Sequence, residues 1–279
     1  MRLNPRKSFA GRVRGERLTR KKGVSIEFAD YREYSDGDDL RHLDWNVLAR
    51  LGTPVMRTYQ DEEDLAVHLL VDVSPSMEFG DPPKTAQARR LACAMGYLAL
   101  AGGDAVLARA LGPREAPPRA LRGRAGYVRL AQWVETERPP DVRGEGLAGA
   151  LRSFAKSQAR QGLVCLLTDG LDPDIDAAIR ILAGRGHEVW FLQILSPIEL
   201  DPDLEGDLRL VDGEGGRVVE ITANSYVLKE YRRRLADHNR RIEETVRRIG
   251  GKHALVTADA SLEGFIKGTL KRDGWVTGR

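Results

Sequence analysis

Cysteine is nearly absent from this 279-residue chain: the two present, Cys93 and Cys165, both sit inside apolar runs (LACAMGYL and GLVCLLTD). Two isolated thiols build neither a disulfide framework nor a zinc site, and a free, buried thiol is the ordinary reading of each. Long apolar runs are missing too. The longest, LACAMGYLALAGG, covers about 13 residues, short of the roughly 20 that a membrane helix needs. The N-terminus carries arginines without the apolar stretch of a secretory signal, so the chain reads as soluble and cytoplasmic, with no membrane span. Its histidines (His42, His68, His187, His238 and His253) are scattered without metal-ligand spacing and are assigned no chemistry. No glycine-rich loop ends in Lys-Ser/Thr, which argues against direct ATP hydrolysis, and no Gly-x-Ser-x-Gly elbow supports a serine hydrolase. No internal repeat is evident.

What is present is an ordinary globular composition, 30% charged and 42% hydrophobic, long enough for one sizeable core with a small appendage. The net charge of +3 is too small to argue for nucleic acid, but its distribution is uneven. Residues 1 to 24 hold nine Lys/Arg against Glu16, a net of +8, whereas residues 25 to 64 hold eleven acids against four arginines, a net of −7. These blocks either neutralise each other or present two differently charged surfaces. A long charged segment at 224 to 249 contains Lys229, Arg232, Arg233, Arg234, Arg240, Arg241, Arg247 and Arg248, interrupted by Glu230, Asp237, Glu243 and Glu244. Without an aromatic stacking set this reads as a solvated helix face rather than a nucleic-acid surface.

From residue 66 the pattern alternates strand-like and helix-like segments. AVHLLVD (66 to 72), DAVLARAL (104 to 111), GLVCLLTD (162 to 169) and HEVWFLQIL (187 to 195) read as strands. KTAQARRLACAMGYLALAG, YVRLAQWVETE, GLAGALRSFAKSQARQ and DIDAAIRILAGRG read as helices between and after them, with segment 112 to 126 as a loop. Near-continuous apolar strands in such alternation predict an α/β, doubly wound and mostly parallel sheet. DLRLVDGEGGRVVEIT (207 to 222) carries the signal of an inserted β-hairpin. The long helix, a strand at KHALVTA and a closing helix at SLEGFIKGTLKR follow. Trp133 and Trp190 read as core. Residues 1 to 65 lack this rhythm and read as a strand-and-loop flank packed on a main domain of residues 66 to 279.

Ligands of parallel α/β sheets gather outside the carboxyl ends of the strands. Asp72 and Asp169 each stand at such an end, and Ser74 and Ser76 follow the first. These hard oxygens suit Mg²⁺ or Mn²⁺ and suit zinc or copper poorly. A plainer reading has a serine capping the next turn and Asp169 opening another. An enzymatic reading takes Asp72 as the nucleophile of a metal-dependent phosphohydrolase. That chemistry commonly uses a second aspartate two residues later as general acid, and Ser74 stands there instead.

DVSPSM resembles the Asp-x-Ser-x-Ser signature of von Willebrand factor A-type domains, their metal-ion-dependent adhesion site, and LLTDGLD is similar to that fold's later aspartate segment. Upstream, EFADYREYSDGDDLRHLDWNVLAR (27 to 50) resembles the hallmark of a bacterial subfamily of unknown function typically encoded beside MoxR-type AAA+ ATPases. DPDLEGDLRLVDGEGGRVVEIT fits it as well. The resemblance implies that Ser74 and Ser76 ligate the metal directly while Asp72 and Asp169 act mostly through bound water. It also implies a threonine from a glycine-rich turn. In RGEGLAGALRSF that place falls to Glu145, and the nearest threonine is Thr136. Glu145 is then a ligand that lowers the ion's charge, a bystander, or the mark of a site without metal. In the hallmark, Asp36-Gly37 reads as a turn. Asp38 and Asp39 lack the spacing of a calcium loop. Arg32, Arg41 and Asp44 are expected to form ion pairs that pin the flank, with Trp45 as an anchor on the core. The function implied is a non-enzymatic adaptor holding an acidic group of a protein partner, a MoxR-type AAA+ ATPase or its client, in a chaperone-like assembly role. The alternatives are a metal-free scaffold and the phosphohydrolase.

Overall fold

A computed structural model describes residues 1–7, 27–36, 38–60, 64–111, 120–136, 146–157, 159–213 and 218–278. Most of the basic segment, Gly37, Glu145 and the glycine-rich hairpin turn lie outside the described residues. The chain divides into two units, one of Met1–Phe9 with Leu65–Arg279 and the other of Ala10–Asp64.

The chain opens with β1 (Arg2–Leu3). The smaller unit contains β2 (Glu27–Glu33), a 3-10 turn at Leu40–His42, helix α1 (Trp45–Leu51) and β3 (Val55–Gln60), and β2 pairs antiparallel with β3. The strand-and-loop expectation for this stretch therefore missed a helix. Beyond it run β4 (Ala66–Asp72), α2 (Lys84–Gly102), β5 (Ala105–Leu111), α3 (Gly123–Thr136), α4 (Gly146–Lys156), β6 (Leu163–Thr168), α5 (Ile175–Gly184) and β7 (Glu188–Leu195). A short α6 (Pro197–Leu200), the hairpin β8 (Gly206–Val211) and β9 (Val218–Ala223), α7 (Ser225–Arg248), β10 (Lys252–Thr257), α8 (Leu262–Gly264) and β11 (Val276–Thr277) complete the chain.

Five strands form one parallel sheet in the order β10-β7-β6-β4-β5. Counted from β4, this is strand order 2-1-3-4-5, a doubly wound arrangement whose switch point falls between β4 and β6. Every residue of β4, β6 and β7 is buried, as covering both faces with helices requires. Alternate residues feed two cores. Val67, Leu69 and Val71 meet Leu91, Met95 and Leu130 on one face, while Leu70, Val164 and Phe191 meet Leu151, Ile179 and Val246 on the other. Helices α2 and α3 approach closely at Gly96, where an added Cβ would lie 2.1 Å from Leu130 Cδ2. Leu121 adds a single antiparallel bridge to Val106 at the β5 edge.

The ends of the chain meet: β1 pairs antiparallel with β11. Instead of a regular closing helix, α8 runs into a wider π-type turn over Phe265–Leu270, which turns both of those residues into the core. Trp190 is fully buried and Trp133 partly so. Cys165 is buried, whereas Cys93 is only half-buried. Along α7 only Ile242, Thr245 and Val246 are buried, and Glu230 pairs with Arg233 and Arg234 as the solvated-face reading expects.

His68 faces the second core, edge-on to Phe154 and His187 at 5.3 Å each, with Nε2 2.8 Å from the Arg160 carbonyl. Burial pushes its pKa down to about 4 and also lowers those of His187 and His253. The unfolded ring takes up a proton near pH 6.5 and the folded one does not. Stability is therefore level above that pH and falls below it, by about 2 kcal/mol at pH 5 from His68 alone. Urea unfolding at pH 7 and pH 5 checks this. In His68→Gln, which keeps a donor toward the carbonyl, the acid-induced loss shrinks by about that amount.

Candidate functional site

Asp72 is the last residue of β4 and Asp169 follows the last residue of β6, Thr168. The two carboxylates thus flank the switch point, and both are almost wholly buried. Asp72 is held from both sides. Its Oδ1 accepts the Ser74 amide at 2.9 Å, and its Oδ2 accepts the Thr168 hydroxyl at 2.6 Å. The Thr168 oxygen in turn accepts the Gly170 amide at 3.0 Å. Gly170 has φ +71°, and an added Cβ there would lie 2.9 Å from Phe191 Cζ, so the loop after β6 turns where only glycine fits. Burial first, and then the charge of Asp169, raise the Asp72 carboxyl above its ordinary pKa, against the weaker pull of its Thr168 and Ser74 hydrogen bonds.

Ser74 precedes the 3-10 turn Pro75–Glu78, and its side chain makes no capping hydrogen bond there. Its Oγ lies 3.1 Å from that of Ser76, which removes the plainer capping reading for Ser74. Asp169 does open a turn, its Oδ1 accepting the Leu171 amide at 3.1 Å. Its backbone carbonyl accepts Gln193 Nε2 at 3.0 Å, and the Gly170 carbonyl lies 2.9 Å from His238 Nε2. Beyond Glu145, α4 begins at Gly146, and its Ala148 amide donates to Asp172 Oδ2 at 2.9 Å, tying the start of α4 to the loop after β6. Gly213, two residues after β8, lies near the serine loop: a Cβ added there would be 3.9 Å from the Ser76 nitrogen.

Two site residues escaped the sequence reading. Lys84, the first residue of α2, has a fully buried side chain whose Nζ donates to Asp169 Oδ2 at 2.9 Å and to Glu199 Oε1 at 2.5 Å. Glu199 belongs to α6, where its other oxygen accepts the Ser196 amide at 2.7 Å in a capping box. Tyr231 of α7 donates its hydroxyl to the Glu199 carbonyl at 2.8 Å. The Ser-x-x-Glu pattern of Ser196–Glu199 was the available signal. Lys84, coming after two prolines, had none.

The residues fit a hard divalent ion. Asp72 and Asp169 are carboxylates, and Ser74 and Ser76 add neutral hydroxyls, the hard oxygen donors that Mg²⁺ or Mn²⁺ takes. Neighbouring ligands of an octahedral Mg²⁺ with bonds of about 2.1 Å lie roughly 3.0 Å apart, close to the 3.1 Å between the serine hydroxyls. Among the described residues no three His, Cys, Asp or Glu side chains form a metal cage.

The hallmark segment makes local contacts. Arg32 grips Asp38 with two 2.6 Å hydrogen bonds, and Arg41 pairs with Asp39 at 2.6 Å. Both pairs are largely exposed and are worth little. Asp36 lies in a turn closed by the Asp38 amide on the Ser35 carbonyl at 3.0 Å. Asp44 is the buried N-cap of α1: it accepts the Asn46 and Val47 amides and the Tyr31 hydroxyl. Trp45, expected as a core anchor, is the first residue of α1 and is 59% exposed. Asp44→Ala should cost about 1 kcal/mol, read as faster amide exchange in α1 with the larger unit unchanged.

The model of a family described as "protein of unknown function DUF58" matches residues 30–241. Uncharacterized proteins of Mycobacterium bovis and Mycobacterium tuberculosis are each 30% identical to this chain over 256 residues, covering 89% of it and 80% of their own length. Among solved structures, BatB from Bacteroides thetaiotaomicron is 17% identical, with a TM-score of 0.44 over 69% of this chain and 90% of its own. An aerotolerance-related membrane protein from Bacteroides fragilis is 19% identical, with a TM-score of 0.43 over 69% and 91%. Among the described residues no helix is long and apolar enough to cross a membrane.

Proposed function

This chain belongs to the DUF58 family of proteins of unknown function, and we propose that it is a non-enzymatic adaptor that holds an acidic group of a protein partner through Mg²⁺ or Mn²⁺. One observation carries the reading. Two serine hydroxyls 3.1 Å apart stand beside a buried carboxylate that accepts the Ser74 amide, at the switch point of the sheet. Ser74 and Ser76 would hold the ion, with Asp72 and Asp169 behind them. Neutral hydroxyls leave such an ion electropositive, so it supplies a place for an incoming carboxylate. The chain's own part is positional. Thr168 and the Ser74 amide fix Asp72, and Lys84 with the Leu171 amide fixes Asp169.

The partner class we propose, from the family resemblance, is a MoxR-type AAA+ ATPase or its client. The phosphohydrolase reading lacks a proton donor two residues after Asp72. A metal-free scaffold is the second reading, and it is favoured by the Lys84 ammonium, which already neutralises part of the acidic cluster. Capture of the purified ATPase by the immobilised chain separates these readings. Binding in millimolar Mg²⁺ that is lost with chelator and in Ser74→Ala/Ser76→Ala supports the adaptor. Equal capture in all conditions supports the scaffold. Phosphate release from a generic ester, abolished by Asp72→Asn, would revive the enzyme.

A further inference from the structure

A lysine ammonium with no exposed surface is costly to bury unless carboxylates surround it. Lys84 meets this condition with residues from three elements gathered at one sheet edge: α2 brings the ammonium, the loop after β6 brings Asp169, and α6 brings Glu199. We propose that Lys84 is a built-in cation standing in for a second metal ion. It keeps the switch point assembled without metal and limits it to one exchangeable divalent ion on the Ser74/Ser76 side. The single exchangeable ion rests on the reading above; the role of the ammonium does not.

Three observations support this. The Lys84 ammonium already balances Asp169, whereas Asp72 is held only by neutral donors, the Ser74 amide and the Thr168 hydroxyl, so an ion on the serines meets Asp72 as its main counter-charge. The second Glu199 oxygen is tied to the Ser196 amide, which fixes the carboxylate that the ammonium bridges to Asp169. The ammonium lies 2.5 Å from Glu199 and 2.9 Å from Asp169, a gap too wide for the roughly 2.0–2.1 Å bonds of Mg²⁺ and closer to, though on the Asp169 side still longer than, the roughly 2.3–2.6 Å of Ca²⁺–oxygen bonds. Methionine keeps the lysine stem but lacks the ammonium. Lys84→Met should therefore open a calcium-preferring place between Asp169 and Glu199.

The test is thermal unfolding of the full chain in chelator, in millimolar CaCl₂ and in millimolar MgCl₂. Calcium should raise the Tm of Lys84→Met by roughly 5–10 °C, more than magnesium does and more than calcium does for the parent chain. The gain should survive added Ser74→Ala/Ser76→Ala and vanish in Lys84→Met/Asp169→Asn/Glu199→Gln. If Lys84→Met unfolds in chelator, calcium should restore its folding, while the neutral triple variant folds without it. A calcium response no larger than the parent's overturns the proposal. So does a Lys84→Met that stays unfolded in calcium while the triple variant folds. A parent magnesium response that Ser74→Ala/Ser76→Ala leaves unchanged sinks the adaptor reading and leaves the Lys84 result standing.

Discussion

Lys84→Ala should lower the free energy of unfolding by roughly 3–5 kcal/mol, the usual cost of breaking a buried ion pair from one side. The cost comes less from the attraction lost than from what remains: Asp169 and Glu199, 3% and 12% exposed in their side chains, without their shared cation. The two carboxylates are then left facing each other with no counter-charge between them. Removing one acid should cost less, because in Asp169→Asn the ammonium keeps Glu199. The check is a double-mutant cycle by urea unfolding. Asp169→Asn in the Lys84→Ala background should recover part of the loss, giving a coupling well above the few tenths of a kcal/mol expected of independent sites. Additive effects would mean that the pair is not a unit.

Thr168→Val should cost roughly 3 kcal/mol, although it changes no volume. The hydroxyl donates to Asp72 at 2.6 Å and accepts from Gly170 at 3.0 Å, both in buried surroundings. A hydrogen bond to a charged group is worth about 1.5–3 kcal/mol, and stranding a buried polar group adds a similar penalty. The same change removes one of the hydrogen bonds that hold the Asp72 pKa down, so that carboxyl should titrate at a still higher pH. Carbonyl-labelled NMR of Asp72 would follow that shift, and Thr168→Ser should restore both stability and titration. A variant that lost stability with no change at Asp72 would show that Thr168 serves the loop alone.

The strands were legible because parallel strands covered on both faces must be apolar at nearly every position, as AVHLLVD and LVCLLT are. The pair Asp72 and Asp169 was legible for the same reason: each is the first charge after such a run. What stayed hidden depends on distant partners. Nothing near Lys84 in the chain marks it as buried, since Asp169 and Glu199 lie 85 and 115 residues away. The joining of Arg2–Leu3 to Val276–Thr277 is equally non-local and too short to leave a pattern. The cap role of Asp44 was missed for another reason: it was visible as an Asp ahead of the helical run WNVLARL, but the surrounding charges drew the reading to ion pairs alone.

Calorimetric titration of Mg²⁺ and Mn²⁺ into the parent chain and into Ser74→Ala/Ser76→Ala tests the hydroxyl-led site most directly. One-site binding to the parent, and none to a double variant whose urea midpoint is unchanged, is the expected result. Identical isotherms for the two proteins, or no binding heat from either ion with the parent chain, would contradict it.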